Sequence, residues 1–323
     1  MKTLGICIPT YKRPDFLKRC VLSAIESAQG RPISVFIADD SVDSTNEPIY
    51  AELQDKYPFI WVHRNSKNLG IDLNIQQSVN LSDCDYTWMF GEDDTFLSGA
   101  IASVYDLLQT VDEPFVLVNY TFVGNDPSVP FDNALRHAPE GVFAASDFYE
   151  RYLWAAGFLG GCVVSRTAWE ATDPAPYVGT YYTHVGRIVE AIALAGKARV
   201  VSSCGVANRV RGGQDNFTWK DDSYGVFFSF LTMCRTAGLR LPQHAESLRR
   251  GGEALERRYQ WLSYQVAIRL RSQGAYDLSQ YHTYIVSTKM TMSKKIGFYF
   301  ISIAPNAIFR PLVRIYRALK GSV

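Results

Sequence analysis

The first hundred residues alternate short, uninterrupted apolar runs with stretches in which apolar positions recur at helical spacing. The runs are "TLGICIPT" (3–10), "ISVFIADD" (33–40), "FIWVHRN" (59–65) and "YTWMFGEDD" (86–94), and each reads as a buried strand. Between the first two, Phe16, Leu17, Cys20, Val21, Ala24 and Ile25 share one face of a helix over 13–28, with Pro14 suited to its first turn. Helices are also predicted over 46–57 and 74–82. Strands that are apolar throughout and separated by helices predict a parallel sheet covered on both faces. Farther along, 114–124, 158–166 and 198–210 read as strands, 184–196 as a helix, and roughly 244–271 as a long helical region.

Composition narrows the class. The 47% apolar and 20% charged content of 323 residues is that of an ordered chain, long enough for one large α/β domain or two small ones. Six cysteines are scattered with no C-x-x-C pair, which predicts reduced thiols in a cytoplasmic protein rather than a zinc site or disulfide framework. "MKTLGICIPT" enters a strand directly, which predicts a protein that is not exported. The net charge of +1 conceals an asymmetry: beyond Asp277 there is no acid but seven cations, so the remainder stands near −6 (+1 minus +7).

In an open parallel sheet, ligands bind beyond the carboxyl ends of the strands. Three strand ends here carry polar signatures: "IPTYKRPD" (8–15), "ADDSVDST" (38–45) and "GEDDT" (91–95). "NSKNLGIDLN" (65–74) adds a glycine-containing turn after the third strand. No G-x-G-x-x-G follows the first strand, no P-loop and no G-x-S-x-G elbow exist, and "EDDT" follows the wrong strand for an aspartyl-phosphate phosphatase. Adjacent carboxylates such as Glu92, Asp93 and Asp94 repel one another. A divalent cation resolves the repulsion: Mg²⁺ or Mn²⁺ takes one or two carboxylates and completes its shell with phosphate oxygens and water. The competing reading is a solvated loop at a helix N-terminus.

With their order and spacing over about residues 3–100, these four motifs resemble the nucleotide-sugar half of a family 2, GT-A glycosyltransferase of the inverting type. Within that family the chain is similar to bacterial O-antigen and capsule sugar transferases of the abequosyltransferase-like set. The resemblance implies a Rossmann-like, mostly parallel sheet flanked by helices. It also implies that Pro9, Thr10, Tyr11 and Arg13 line the nucleotide, that Asp39 and Asp40 contact base and ribose, and that Asn68 and Gly70 form the turn beside the base. By the same resemblance Asp94 is the metal ligand, for Mn²⁺ or Mg²⁺, and Asp93 a sugar or ribose contact. A common D-x-D-D form would place an acid where Gly91 stands, and Glu92 is not an obvious replacement.

The second half of such enzymes binds the acceptor. "FLGGCVVSRTAW" (158–169) resembles the glycine-bearing strand beneath the acceptor, but the acid pair expected before a helix ending in A-G falls on His184-Val185. Histidine is a competent base, so His184 becomes the candidate, against the alternatives of a structural histidine or a substrate contact. "RVRGGQDNFTW" (209–219), with Asp215, Asn216 and Trp219, is a loop able to fold over a substrate, and Tyr181 and Tyr182 offer flat faces to a sugar.

The tail holds an apolar run of 14 residues, Ile296 to Phe309, broken by Pro305 and Asn306. It is too short to span a bilayer and, with its cations, suits an interfacial anchor on an anionic membrane; a helical pair covering the body is the alternative. The expectation is therefore three parts: a nucleotide-sugar half (1–100), an acceptor half (101–220) and a helical, basic-amphipathic extension (221–323). Together they predict a peripheral enzyme on the inner face of the plasma membrane. It would carry sugar from a nucleoside diphosphate to a polyprenyl-diphosphate-linked glycan, with no nucleic-acid partner. A sugar nucleotidyltransferase and a non-catalytic scaffold with a degenerate site are the rivals.

Overall fold

The structure, a computed structural model, describes residues 1–124, 126, 128–209 and 222–319. Its described residues divide into two compact units, Met1–Gly213 with Met233–Gly251, and Gln214–Thr232 with Gly252–Val323.

In the first unit the four expected strands are β1 (Leu4–Thr10), β2 (Ile33–Asp39), β3 (Ile60–Arg64) and β4 (Tyr86–Met89). They run parallel in the order β3-β2-β1-β4. The crossovers are α1 (Pro14–Ala28), α2 (Glu47–Lys56) and α3 (Ile71–Asn80). Pro14 does occupy the first turn of α1, whose buried face is Leu17, Cys20, Val21, Ala24 and Ala28. Helix α3 begins three residues earlier than its apolar spacing suggests because Gly70, at φ +79°, makes the sharp entry into it.

Beyond β4 the sheet turns mixed. β5 (Thr95–Phe96) and α4 (Ala100–Leu108) precede β6 (Phe115–Val123), β7 (Pro130–Asn133), β8 (Gly141–Ala144) and α5 (Ala145–Tyr152). Then come β9 (Cys162–Ser165), α6 (Arg166–Glu170), α7 (Thr183–Ala195) and β10 (Lys197–Arg209). β9 lies antiparallel between β4 and β6, β10 runs parallel to β6, and β5 closes the far side of β10. Trp88 is fully buried in this core, its Nε1 donating to Gly160 O at 2.8 Å and its ring meeting Phe96 edge-on. All six cysteines are free thiols.

The chain continues as α8 (Ser223–Arg240), α9 (Ala245–Tyr259), α10 (Tyr264–Gln273), α11 (Leu278–Gln280), α12 (Met292–Ile303) and α13 (Asn306–Leu319). The expected helix over 244–271 is thus two helices. Gln260 at φ +50° ends the first, and Ser263 caps the next by accepting from Val266 N. The second unit has its own core, with Tyr224, Ala267, Leu270, Tyr276, Ile285 and Phe298 buried together. Tyr276 Oη donates to Phe298 O at 3.1 Å, which fixes α12 against that core. Among the described residues no helix is long and apolar enough to cross a membrane.

Candidate active site

The carboxyl ends of β1, β2 and β4 converge, and the side chains that follow them are tied into one network. Glu92 is the hub of its first part. Its Oε2 accepts from the Thr10 hydroxyl and from Tyr11 N at 3.1 Å, and its Oε1 stands 3.6 Å from Arg13 Nε. Burial pushes the Glu92 carboxyl up to about 7, against the opposing pull of Thr10 and Arg13. Pro9, Thr10, Tyr11 and Arg13 therefore form one turn, closed by Lys12 at φ +55°, whose N–H donates to Ser41 Oγ at 2.7 Å. Tyr11 is exposed at its tip.

Asp93 Oδ2 lies 3.4 Å from Arg13 Nη1 and 3.7 Å from Arg209 Nη2. Asp94 Oδ1 accepts from Arg209 N at 3.0 Å, and burial, then the Asp93 charge, holds its carboxyl well above the usual range. Arg209 also stacks over Phe16, 4.1 Å from the ring centre. Phe16, Arg19, Asp93, Asp94 and Arg209 line a cleft here.

Asp39 and Asp40 are buried and serve the protein's own turns. Asp39 Oδ1 accepts from Ser41 N at 2.8 Å and Asn46 Nδ2 at 3.2 Å. Asp40 Oδ1 accepts from Asn65 Nδ2 and Leu69 N, and Oδ2 from Gly70 N at 2.9 Å. Asn68 Oδ1 accepts from the same Gly70 N–H, an Asx turn that shapes the loop. Asn74 links this group back to β1, donating to Thr10 O and Ala38 O. Every expected nucleotide-side residue is therefore in one connected neighbourhood.

His184 is set apart from it. It lies in the first turn of α7, 3% exposed, with the Ala156 backbone near the ring but no hydrogen bond of good geometry to either ring nitrogen among the described residues. Burial drives its pKa down to about 4, with the nearby Asp72 charge opposing, so the ring is neutral at pH 7. Tyr182 has its ring centre 6.2 Å away. Asp215, Asn216 and Trp219 lie outside the described residues.

Among the described residues no cluster of three or more His, Cys, Asp or Glu side chains is arranged to hold a metal ion. Asp94 nonetheless fits a magnesium-type ion. Such an ion needs only one or two protein carboxylates when a substrate diphosphate fills the other positions, and Asp94, a buried carboxylate lining the cleft beside Asp93, offers one. Two contributors have partners that the chain order does not signal. Glu92 organises a turn eighty residues away, and Arg209, at the head of the 209–219 loop, becomes a partner of Asp93 and Asp94 only because β10 ends beside β4's loop.

A model of the family described as "Glycosyl transferase family 2" matches residues 5–163, the stretch that holds the ends of β1, β2 and β4. Over that stretch the chain belongs to glycosyl transferase family 2. It is 25% identical over 315 residues to the abequosyltransferase RfbV of Salmonella typhimurium (strain LT2), covering 91% of this chain and 93% of that one. Among solved structures it is similar to S. aureus TarS 1-349, at 11% identity and a TM-score of 0.59, over 99% of this chain and 93% of that one. The TarS 1-349 complex with UDP-GlcNAc gives 13% identity and a TM-score of 0.59, over 98% and 92%. At such identity the TarS likeness is one of fold. The sheet of this family 2 enzyme is the GT-A arrangement, followed by the helical extension α8–α13.

Proposed function

We propose that the crevice binds a nucleoside diphosphate sugar, and that the chain transfers the sugar to a hydroxyl of a bacterial surface glycan, O-antigen or capsule, with inversion. The observation that carries this reading is the meeting of Glu92, Asp93 and Asp94 with Arg13 and Arg209 at the end of β4. Two guanidiniums beside a carboxylate pair offer a diphosphate both charge partners and forked hydrogen bonds. The Mn²⁺ or Mg²⁺ held by Asp94 when bound supplies the charge that stabilises a departing nucleoside diphosphate. Arg13 and Arg209 orient Asp93, which is placed to meet the sugar or ribose. Asp39 and Asp40 act through the turns they hold, giving the nucleoside a fixed wall of Pro9–Tyr11 and Asn68–Gly70. His184 takes the acceptor proton in its neutral form.

The acceptor proposed is a polyprenyl-diphosphate-linked glycan at the inner face of the plasma membrane, with the basic tail on the anionic lipid surface. The named activity of the RfbV relative supports a surface-glycan role, and the ligands of the TarS complexes make UDP the first carrier to try.

The test is a thermal-shift screen of UDP, GDP, CDP and dTDP with and without Mn²⁺, since a ligand of the folded state raises the melting temperature by mass action. One nucleotide is expected to raise it in a metal-dependent way, and Asp94→Ala to abolish the metal dependence. No shift with any of the four sinks the donor site and leaves a scaffold. Pyrophosphate release from an NTP and a sugar phosphate would instead identify a nucleotidyltransferase.

A further inference from the structure

Asp72, in the first turn of α3, gathers three backbone N–H groups from a segment more than a hundred residues away. Its Oδ2 accepts from Gly179 N at 2.8 Å and Tyr181 N at 3.1 Å, and its Oδ1 from Thr183 N at 3.3 Å. The side chain is buried, and its charge lies close enough to His184 to act on that ring. The segment it holds contains one unfavourable backbone position: Tyr181, an aromatic residue, sits at φ +61°, two residues after Gly179 at φ +88°. A non-glycine residue persists there only where its surroundings over-determine it. Capping α7 would need one acceptor at its first N–H groups; Asp72 also clamps two residues that precede the helix.

The other end of the same helical turn faces the nucleotide side. Leu69 N and Gly70 N donate to Asp40, and Gly70 O accepts from Asn74 N at 2.9 Å to start α3. Only Ile71 separates Gly70 from Asp72, so one short, hydrogen-bonded turn has a carboxylate clamp at each end. Both clamps are charge-assisted, the stronger kind of hydrogen bond.

We propose that Asp72 is a positioning residue that couples the two substrates. A nucleotide in the crevice fixes the Asn68–Gly70 turn, and through Asp72 that order passes to the Gly179–Thr183 turn, which sets Tyr181 and His184 for the acceptor. This rests on the donor-site reading above. Such coupling exists only if the nucleotide interacts differently with the loose and the fixed turn, which amide exchange at the turn reads directly.

The experiment is hydrogen exchange on the full chain with UDP, GDP, CDP and dTDP in turn, each with Mn²⁺, beside the melting temperature of the same samples. The nucleotide that raises the melting temperature should slow exchange at the amides of 179, 181 and 183 about fivefold or more. Asp72→Asn should keep the rise in melting temperature and lose the slowing, and Asp72→Glu should regain part of it. A nucleotide that raises the melting temperature of the native chain yet leaves those amides unchanged overturns the proposal, whatever the variants do, and reduces Asp72 to a tie for α7. If no nucleotide raises the melting temperature, the donor-site reading fails and this inference falls with it.

Discussion

A Cβ added at Gly91 would stand 2.8 Å from Asp94 Oδ2, closer than such a contact tolerates. The position at which a D-x-D-D form would place an acid is therefore closed to any side chain while Asp94 keeps its present orientation. Only the end of one side chain stands in the way, so Gly91→Ala should fold and turn the Asp94 carboxylate aside. Loss of one such contact, about 1 to 1.5 kcal/mol, weakens metal-dependent nucleotide binding roughly tenfold, measurable by titration calorimetry. His184 gives a second test at this scale. Its folded pKa of about 4 lies below the ordinary histidine value of about 6.5, so the unfolded chain takes up the proton first. Its contribution is therefore fully present above about pH 6.5 and is lost as the pH falls towards 4. Melting temperatures of the native chain and of His184→Gln across that window should differ in slope, with the variant flatter. The base role proposed for His184 predicts an effect on turnover: the variant is then expected to lose about 10²-fold or more in kcat while binding nucleotide unchanged. A variant with native kcat would return His184 to a structural role.

Elements were legible in proportion to the length of their apolar signal. Continuous runs located β1 to β4, β6 and β10 to within a few residues; in β1, β4 and β6 burial on both faces leaves little to confuse the signal, whereas β3 is exposed along most of its length. β5, β7 and β8 are two to four residues long and half-exposed, too short for any periodicity to accumulate. In the tail the relevant signal is a stripe rather than a run. Met292, Ile296, Phe300 and Ile303 recur along one side of α12 with exposures of 71, 48, 61 and 46%, while Phe298 is buried on the other. Lys294, Lys295 and Arg310 stand nearby in sequence with no acid among them. Vesicles containing phosphatidylglycerol should therefore carry the chain in a flotation assay, and neutral phosphatidylcholine vesicles should not. Ile296→Asp with Phe300→Asp should release it with its melting temperature preserved, since both side chains already face outward. Equal flotation of the doubly substituted chain would assign the stripe to something other than lipid.

Across the whole molecule, the site's location could be read but not its wiring. Strand ends rich in hydroxyls, cations and acids announce a crevice wherever a parallel sheet can be inferred, and the structure brings those of Thr10, Arg13, Asp40, Gly70 and Asp93 together. Glu92, Arg209 and Asp72 act across 80 to 115 residues of chain, and nothing local to them marks the partner. The insertion of β9 between β4 and β6 has a consequence of another kind. β4 and β6 are both parallel-sheet strands, yet they are joined edge to edge only by Cys162–Ser165. A chain stopped anywhere before residue 162 would leave Tyr86–Met89 as a bare apolar border. The stretches before and after β4 are thus not interchangeable cassettes. Exchange of genetic material between related enzymes could alter which sugars are joined only at points that keep residues 1 to 165 in one inheritance, or by changing side chains in place.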